Sequence, residues 1–246
     1  MAIKNDGYIA LICLPYAGGS QHIFQPWRDT LEQFINIVTP ELPGRGSRIF
    51  ESPIDRLPEL TEWLFEETRE RLAGDYALWG HSMGGLLAFE FARSVRRRGF
   101  AQPVHLFVSG ALPPDLPRHD IDYHRLDDAG LVEKLMEMGG TPEAVLRSRE
   151  LMELFLPTIR ADFAVCETYS WHDDEEGLSV PITVLGGDAD MGVPSQALQG
   201  WTRFTSGRTD VQVLNGGHFF LRDHVEVLSG IILQRLRAAL PSSAAA

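Results

Sequence analysis

Tyr76-Ala77-Leu78-Trp79-Gly80-His81-Ser82-Met83-Gly84-Gly85-Leu86-Leu87-Ala88-Phe89 is the stretch that decides the fold. It holds Gly-x-Ser-x-Gly between an apolar run, Tyr76 to Trp79, and a long apolar, helix-forming run, Leu86 to Val95. That strand–turn–helix context is the one in which a serine is pushed out of a sharp turn with its hydroxyl exposed. Gly80 and Gly84 give the flanks almost no side chain, so strand and helix can approach. The helix then starts beneath Ser82, and its first N–H groups and positive dipole end face any oxyanion forming there. The pentapeptide alone is common. Its weight comes from the strand before and the helix after, and the plain alternative is a serine in a Gly-rich turn.

Outward from this centre, the chain alternates. Tyr8 to Leu14 is continuously apolar, as in a strand buried on both faces, and stops at Pro15-Tyr16-Ala17-Gly18-Gly19-Ser20. A helix is predicted from about Ser20 to Phe34, with Phe24, Trp27, Leu31 and Phe34 on one side. Asn36 to Thr39 reads as a short strand, Leu42 to Arg48 as a loop, and Pro58 to Leu72 as a helix. Met83 to Arg98 reads as a helix ended by Gly99. Val104 to Ser109, Pro181 to Leu185 and Val211 to Leu214 repeat the apolar strand pattern. Alternating strands and helices imply an α/β fold with a mostly parallel sheet.

One stretch, from Ala111 to about Val180, shows no strand pattern. Its apolar residues fall at helical spacing: Leu131, Leu135 and Met138; Val145, Leu151, Met152 and Phe155; Ile159, Phe163 and Cys166. Too long and too apolar for a plain loop, it reads as a helical insertion of about 112–178 lying over the strand ends. Some of these residues must also complete the core. Three methionines, Met136, Met138 and Met152, fall here and suit either a mobile cover or irregular core gaps. The whole chain, 1–246, is expected to be one domain, with a frayed tail at Pro241 to Ala246.

Composition narrows the function. With 246 residues, 44% hydrophobic and 23% charged, there is ample material for a buried core. A net charge of −12 argues against nucleic acid and against an anionic membrane surface as partner. No apolar run is long enough to cross a bilayer and the N-terminal segment is a poor signal peptide, so cytoplasm is the expected compartment. The two cysteines, Cys13 and Cys166, suggest neither a disulfide framework nor a metal site, and Cys13 reads as a small core residue.

A serine hydroxyl needs a base within reach. Of eight histidines, His218 stands out: it follows the strand Val211 to Leu214 through Asn215-Gly216-Gly217 and precedes Phe219-Phe220-Leu221. His81 adjoins Ser82, but the turn aims its side chain elsewhere. The base needs a carboxylate to fix its tautomer, and in this architecture the acid precedes the histidine in sequence. Gly186-Gly187-Asp188-Ala189-Asp190 offers two. Asp190 is favoured, and Asp188 is expected to hydrogen-bond the loop backbone. Asp173 and Asp174 belong to an acidic run, 173–176, read as a solvated face. The oxyanion hole maps to the backbone N–H groups of Met83 and Ala17. Since only its backbone is used, Met83 is expected to tolerate side-chain changes.

With these residues placed, the chain resembles the type II thioesterases of polyketide and nonribosomal peptide pathways, within the α/β-hydrolase superfamily. The resemblance rests on Leu14-Pro15-Tyr16-Ala17-Gly18-Gly19-Ser20, Leu42-Pro43-Gly44-Arg45-Gly46, Gly80-His81-Ser82-Met83-Gly84-Gly85 and Gly216-Gly217-His218-Phe219-Phe220-Leu221. Pro157-Thr158-Ile159-Arg160-Ala161-Asp162, with Glu167 and Tyr169, resembles the family's helical lid. The acid loop departs from it, with Asp190-Met191 where family members often carry Asp-Pro. The resemblance implies an α/β-hydrolase fold with a lid and a serine hydrolase that clears acyl thioesters from the phosphopantetheine arm of acyl or peptidyl carrier proteins. Ser82, Asp190 and His218 would be the triad, with no cofactor and no metal of its own, and a monomer is expected. An oxygen-ester hydrolase with the same triad is the alternative. A catalytically silent, synthase-binding protein is a third, against which the intact triad argues. Arg93, Arg96, Arg97 and Arg98 read better as cations complementing a helix C-terminus than as a carrier-docking patch. Arg45 and Arg160 suit either substrate or lid roles, or plain loop bracing.

Overall fold

The computed structural model describes residues 8–117, 122–172 and 177–237. The acidic run at 173–176 and the tail from 241 lie outside them. Six strands form one sheet in the order β2-β1-β3-β4-β5-β6. They are β1 (Ala10–Leu14), β2 (Asn36–Val38), β3 (Tyr76–His81), β4 (His105–Ser109), β5 (Ile182–Gly187) and β6 (Thr209–Leu214). Every pairing is parallel, where a mostly parallel sheet was expected. The register runs Ile12 beside Leu78, Leu78 beside Leu106, and Leu106 beside Ile182.

Successive strand residues point to opposite faces, and this splits the core in two. On one face, Ile12, Leu14, Leu78 and Val108 pack against α2 (Leu57–Thr68) and α3 (Met83–Arg97). On the other, Leu11, Cys13, Trp79 and Phe107 pack against α1 (Gln25–Leu31) and α7 (Val225–Leu236). Cys13 is buried there, and burial pushes its thiol far above the usual thiol range. The predicted helix from Ser20 is shorter than expected. A 3-10 turn spans Gln21–Phe24, and the α-helix begins at Gln25, where Pro26 has a preset φ and needs no donor. The predicted helix to Leu72 likewise ends as a 3-10 turn, Arg69–Ala73. A long 3-10 segment, Ser195–Phe204, was not foreseen; it buries Trp201, whose indole N–H donates to the Ala111 carbonyl at 2.9 Å.

Between β4 and β5 run α4 (Asp128–Met138), α5 (Glu143–Leu146) and α6 (Arg149–Glu167). The Asp127 carboxylate caps α4 by accepting the Gly130 N–H at 2.8 Å, and Gly139 ends it at φ +70°. These helices share their own apolar cluster, centred on Leu131, Leu135, Met152, Ile159 and Phe163. Met152 is core, whereas Met136 and Met138 lie exposed on α4. Among the described residues no helix is long and apolar enough to cross a membrane.

Candidate active site

The site begins with a turn that only this sequence allows. A Cβ on Gly80 would sit 1.9 Å from the Gly84 carbonyl oxygen, and one on Gly84 would sit 2.2 Å from that of Leu14. With both approaches open, β3 runs straight into α3. Ser82 takes the strain at φ +55°, the one positive φ of a non-glycine among the described residues. Its N–H donates to the Ser109 carbonyl at 2.8 Å, and its own carbonyl accepts from Gly85 at 2.9 Å. The hydroxyl is left at the rim, half-buried.

His218 arrives on the loop after β6. Its Nε2 lies 3.0 Å from Ser82 Oγ and its Nδ1 lies 2.7 Å from Asp190 Oδ2. Asp190 is nearly fully buried, and its second oxygen accepts the N–H groups of Gly192 at 2.9 Å and Val193 at 3.0 Å. Both oxygens are therefore occupied and the carboxylate cannot swing away. Asp188 does something different. It accepts the Gly216 N–H at 2.8 Å and the Asn215 amide at 3.4 Å, tying the β5 loop to the histidine loop. The structure thus brings Ser82, His218 and Asp190 into one hydrogen-bonded chain and leaves Asp188 outside it. Such a chain can move the serine proton to an imidazole held in a fixed tautomer.

The loop after β1 supplies the other side. It is a tight turn in which Gly19 N–H donates to the Tyr16 carbonyl at 2.8 Å and Gly18 stands at φ +73°. The near contact of Gly84 with the Leu14 and Pro15 carbonyls sets this loop directly against the start of α3. Met83 is the first residue of α3, directly after Ser82, and Ala17 lies in the turn set against it. The Met83 side chain is not free to vary as expected: it is buried in the main core, so only its N–H is generic.

His81 is fully buried behind the site, 2.8 Å from Ser109 Oγ through Nδ1 and with its ring 5.2 Å from that of His218. Burial, and then the neighbouring His218, hold its pKa well below the ordinary histidine value. It stays neutral beside the half-buried His218 imidazole.

Residues 10–236 match the thioesterase domain family. The chain is 38% identical to the gramicidin S biosynthesis protein GrsT of Aneurinibacillus migulanus, over 97% of this chain and 93% of that protein. The chain belongs to the thioesterase family. Two solved structures are close in shape. RedJ, the thioesterase from the prodiginine pathway of Streptomyces coelicolor, gives a TM-score of 0.86 at 37% identity, over 92% of this chain and 90% of that one. BorB, the type II thioesterase from the borrelidin cluster, gives 0.86 at 36%, over 96% and 94%. The fold is that of the α/β-hydrolases and the enzyme is a thioester hydrolase of the type II group.

In this thioesterase the insertion is braced within itself and tied to α3 and the histidine loop by polar side chains. Arg160 donates to the His124 carbonyl at 2.8 Å and pairs with Asp128 at 2.6 Å, bracing the start of α4. Glu167 accepts the N–H groups of Tyr123 at 3.0 Å and His124 at 3.1 Å. Tyr169 donates to Glu90 at 2.7 Å. Arg222, four residues past His218, donates to the Tyr16 hydroxyl and the Gly140 carbonyl, both at 2.6 Å, and so latches the α4–α5 turn onto the site's rim. At the far end of α3, Arg93 pairs with Glu90 at 2.7 Å and stacks on Trp171, and Arg96 donates to the Gly177 carbonyl at 2.7 Å. Sequence reading placed Asp162 in the lid-like stretch but gave it no role of its own. It lies fully buried on α6 and binds Arg45. A carboxylate in the apolar stripe Ile159, Asp162, Phe163, Cys166 was the signal available.

Proposed function

We propose that this thioesterase removes acyl groups from the phosphopantetheine arm of acyl or peptidyl carrier proteins in polyketide or nonribosomal peptide synthesis, through an acyl-serine intermediate on Ser82. The observation carrying this reading is the continuous chain Ser82–His218–Asp190 at the tip of the elbow. The kinship with GrsT and BorB supports the pathway.

In the first step Ser82 Oγ attacks the thioester carbonyl as its proton passes to His218 Nε2. Asp190 holds the Nδ1–H and stabilises the imidazolium. The carbonyl oxygen, now anionic, accepts the N–H groups of Met83 and Ala17, with the α3 dipole behind it. Collapse breaks the C–S bond, and the pantetheine sulfur leaves with the proton from His218. Water then gives a proton to His218 and attacks the acyl-serine. The second tetrahedral species collapses to the free acid as His218 returns the proton to Ser82 Oγ. His81, bonded through Nδ1 to Ser109 Oγ and made a weak base by burial, leaves the proton transfer to His218. Helices α4 to α6 serve as the lid over the acyl group and exclude water until it enters. The working compartment in this reading is the cytoplasm, the partner is the carrier protein, and no cofactor is needed.

A panel of acyl-loaded carrier proteins, acyl-pantetheine thioesters and simple oxygen esters tests the reading. Turnover of both thioester classes, best on the carrier, is expected. Preference for oxygen esters with no turnover of acyl carrier would overturn it in favour of an ordinary esterase.

A further inference from the structure

We infer that the buried pair Arg45–Asp162 positions the oxyanion hole, so that α6 of the insertion is part of the catalytic scaffold as well as a cover. This rests on the proposed role of the Ala17 N–H.

The turn Tyr16–Gly19 has three peptide units to orient. The unit that carries the Ala17 N–H also carries the Tyr16 carbonyl, which points the opposite way because a peptide is planar and trans. That carbonyl accepts the Gly19 N–H at 2.8 Å. The central unit carries the Gly18 N–H, and here the turn is held from outside. Asp162 Oδ2 accepts that N–H at 2.7 Å, across 144 residues of sequence. With Gly18 at φ +73°, this is the central-peptide orientation of a type II turn; a flip would aim the Ala17 carbonyl at a carboxylate. The third unit carries the Gly19 N–H already bonded to Tyr16, and just beyond it Arg45 Nη1 donates to the Gly19 carbonyl at 3.0 Å.

Arg45 and Asp162 hold each other in a fork: Nη1 to Oδ2 at 2.8 Å and Nη2 to Oδ1 at 2.7 Å. Both side chains are shut off from water, at 7% and 1% exposed. Asp162 Oδ2 is thus shared between the arginine and the turn, and the pair is one rigid part rather than a surface bridge. Two further contacts from the same face of α6 fix its height. Thr158 donates to the Gly44 carbonyl at 2.5 Å, and Ile159 packs so close to Gly18 that a Cβ there would be 3.0 Å from it. The Tyr16 carbonyl, the N–H groups of Gly18 and Gly19 and the Gly19 carbonyl are therefore committed to the turn itself or to this pair. Preorganised donors stabilise a developing charge without having to rearrange as it forms.

Asp162→Asn, Arg45→Lys and the double variant Arg45→Met/Asp162→Leu test this beside Ser82→Ala. An acyl-pantetheine thioester serves as substrate. The probe is an acyl trifluoromethyl ketone, to whose carbonyl Ser82 adds, its proton going to His218 and the new oxyanion entering the hole. Asp162→Asn is expected to lower kcat about 10²-fold with KM within about twofold, and to weaken the ketone by the same factor, the size of effect seen when an oxyanion donor is lost or displaced. Arg45→Lys, which keeps the charge and loses the fork, is expected to fall between it and the wild type. The double variant removes both charges together and leaves no buried charge unpaired; it is expected to fold where a single variant does not, and to show the same kcat loss. Folded variants with wild-type kcat and ketone affinity, or with raised KM alone, would overturn the positioning role. Retained turnover in Ser82→Ala would instead overturn the catalytic reading on which it rests.

Discussion

The elbow and the insertion build two sides of one site by opposite means. At the elbow, backbone sterics do the work: Gly80 and Gly84 face carbonyl oxygens at distances no side chain tolerates, and Ser82 is forced to φ +55° by its immediate neighbours. At the insertion, placement is polar and long-range. Asp162 reaches Gly18 and Arg45, Thr158 reaches Gly44, and Arg222 reaches back from the histidine loop to Gly140. The nucleophile is thus set by contacts that cannot be altered without breaking the fold. The cover and the loop facing it are set by contacts that can be removed one at a time.

The largest effect belongs to the elbow side. Ser82→Ala should lower kcat by about 10⁶-fold while leaving the melting temperature near wild type, since the lost hydroxyl sits at the half-buried rim and Ala bears the same backbone strain as Ser. Stopped-flow release of pantetheine thiol checks this. Next comes the acid. Asp190→Asn should lower kcat about 10⁴-fold through the wrong imidazole tautomer, whereas Asp188→Ala should keep activity within about tenfold and lose about 1–2 kcal/mol of stability through the unpaired Gly216 N–H. Parallel kinetics and urea melts on the two variants separate these roles. If Asp188→Ala were the crippled one, the assignment would be reversed.

Arg222→Ala tests the insertion side. It frees the α4–α5 turn from Tyr16 without touching Ser82 or its partners, so a several-fold rise in KM with kcat within about threefold is expected, measured on acyl-pantetheine substrates. An equal fall in kcat and kcat/KM would make the latch part of the chemistry and blur the contrast between the two regions.

The effect furthest from the chemistry lies in the sheet, away from the insertion. His105 on β4 is buried against Thr183, and burial, with Arg235 nearby, lowers its pKa to about 4. Between that value and the ordinary 6.5 the unfolded chain binds more protons than the folded one. Stability should therefore be flat above about pH 7 and fall as pH drops from 6.5 to 4, by up to about 3 kcal/mol from this group. His105→Gln should flatten that part of the slope in a pH series of thermal melts.

What could be read from the sequence follows the same division. The elbow, the strands and His218 were legible because each is written locally, in glycines that permit close approach and in apolar runs of strand length; the order of the strands in the sheet was not read. The preference for Asp190 over Asp188 came from its spacing beyond Gly187, and the geometry sets it on His218 while Asp188 braces Gly216. The Arg45–Asp162 pair was not legible, because its members stand 117 residues apart and only a carboxylate in an apolar stripe hinted at it. Met83 was misjudged because attention to its N–H ignored that the first turn of α3 faces the core. The Ser195–Phe204 segment escaped because a 3-10 turn has neither the strand nor the α-helix period.

The most direct test is to mix the enzyme with an acyl-pantetheine thioester, quench within milliseconds and map the adduct by mass spectrometry of proteolytic peptides. The expected result is a transient acyl group on the peptide containing Ser82, formed as the thiol is released and absent in Ser82→Ala. Hydrolysis that proceeds with no adduct, or with the acyl group on another residue, would contradict a serine nucleophile at the elbow.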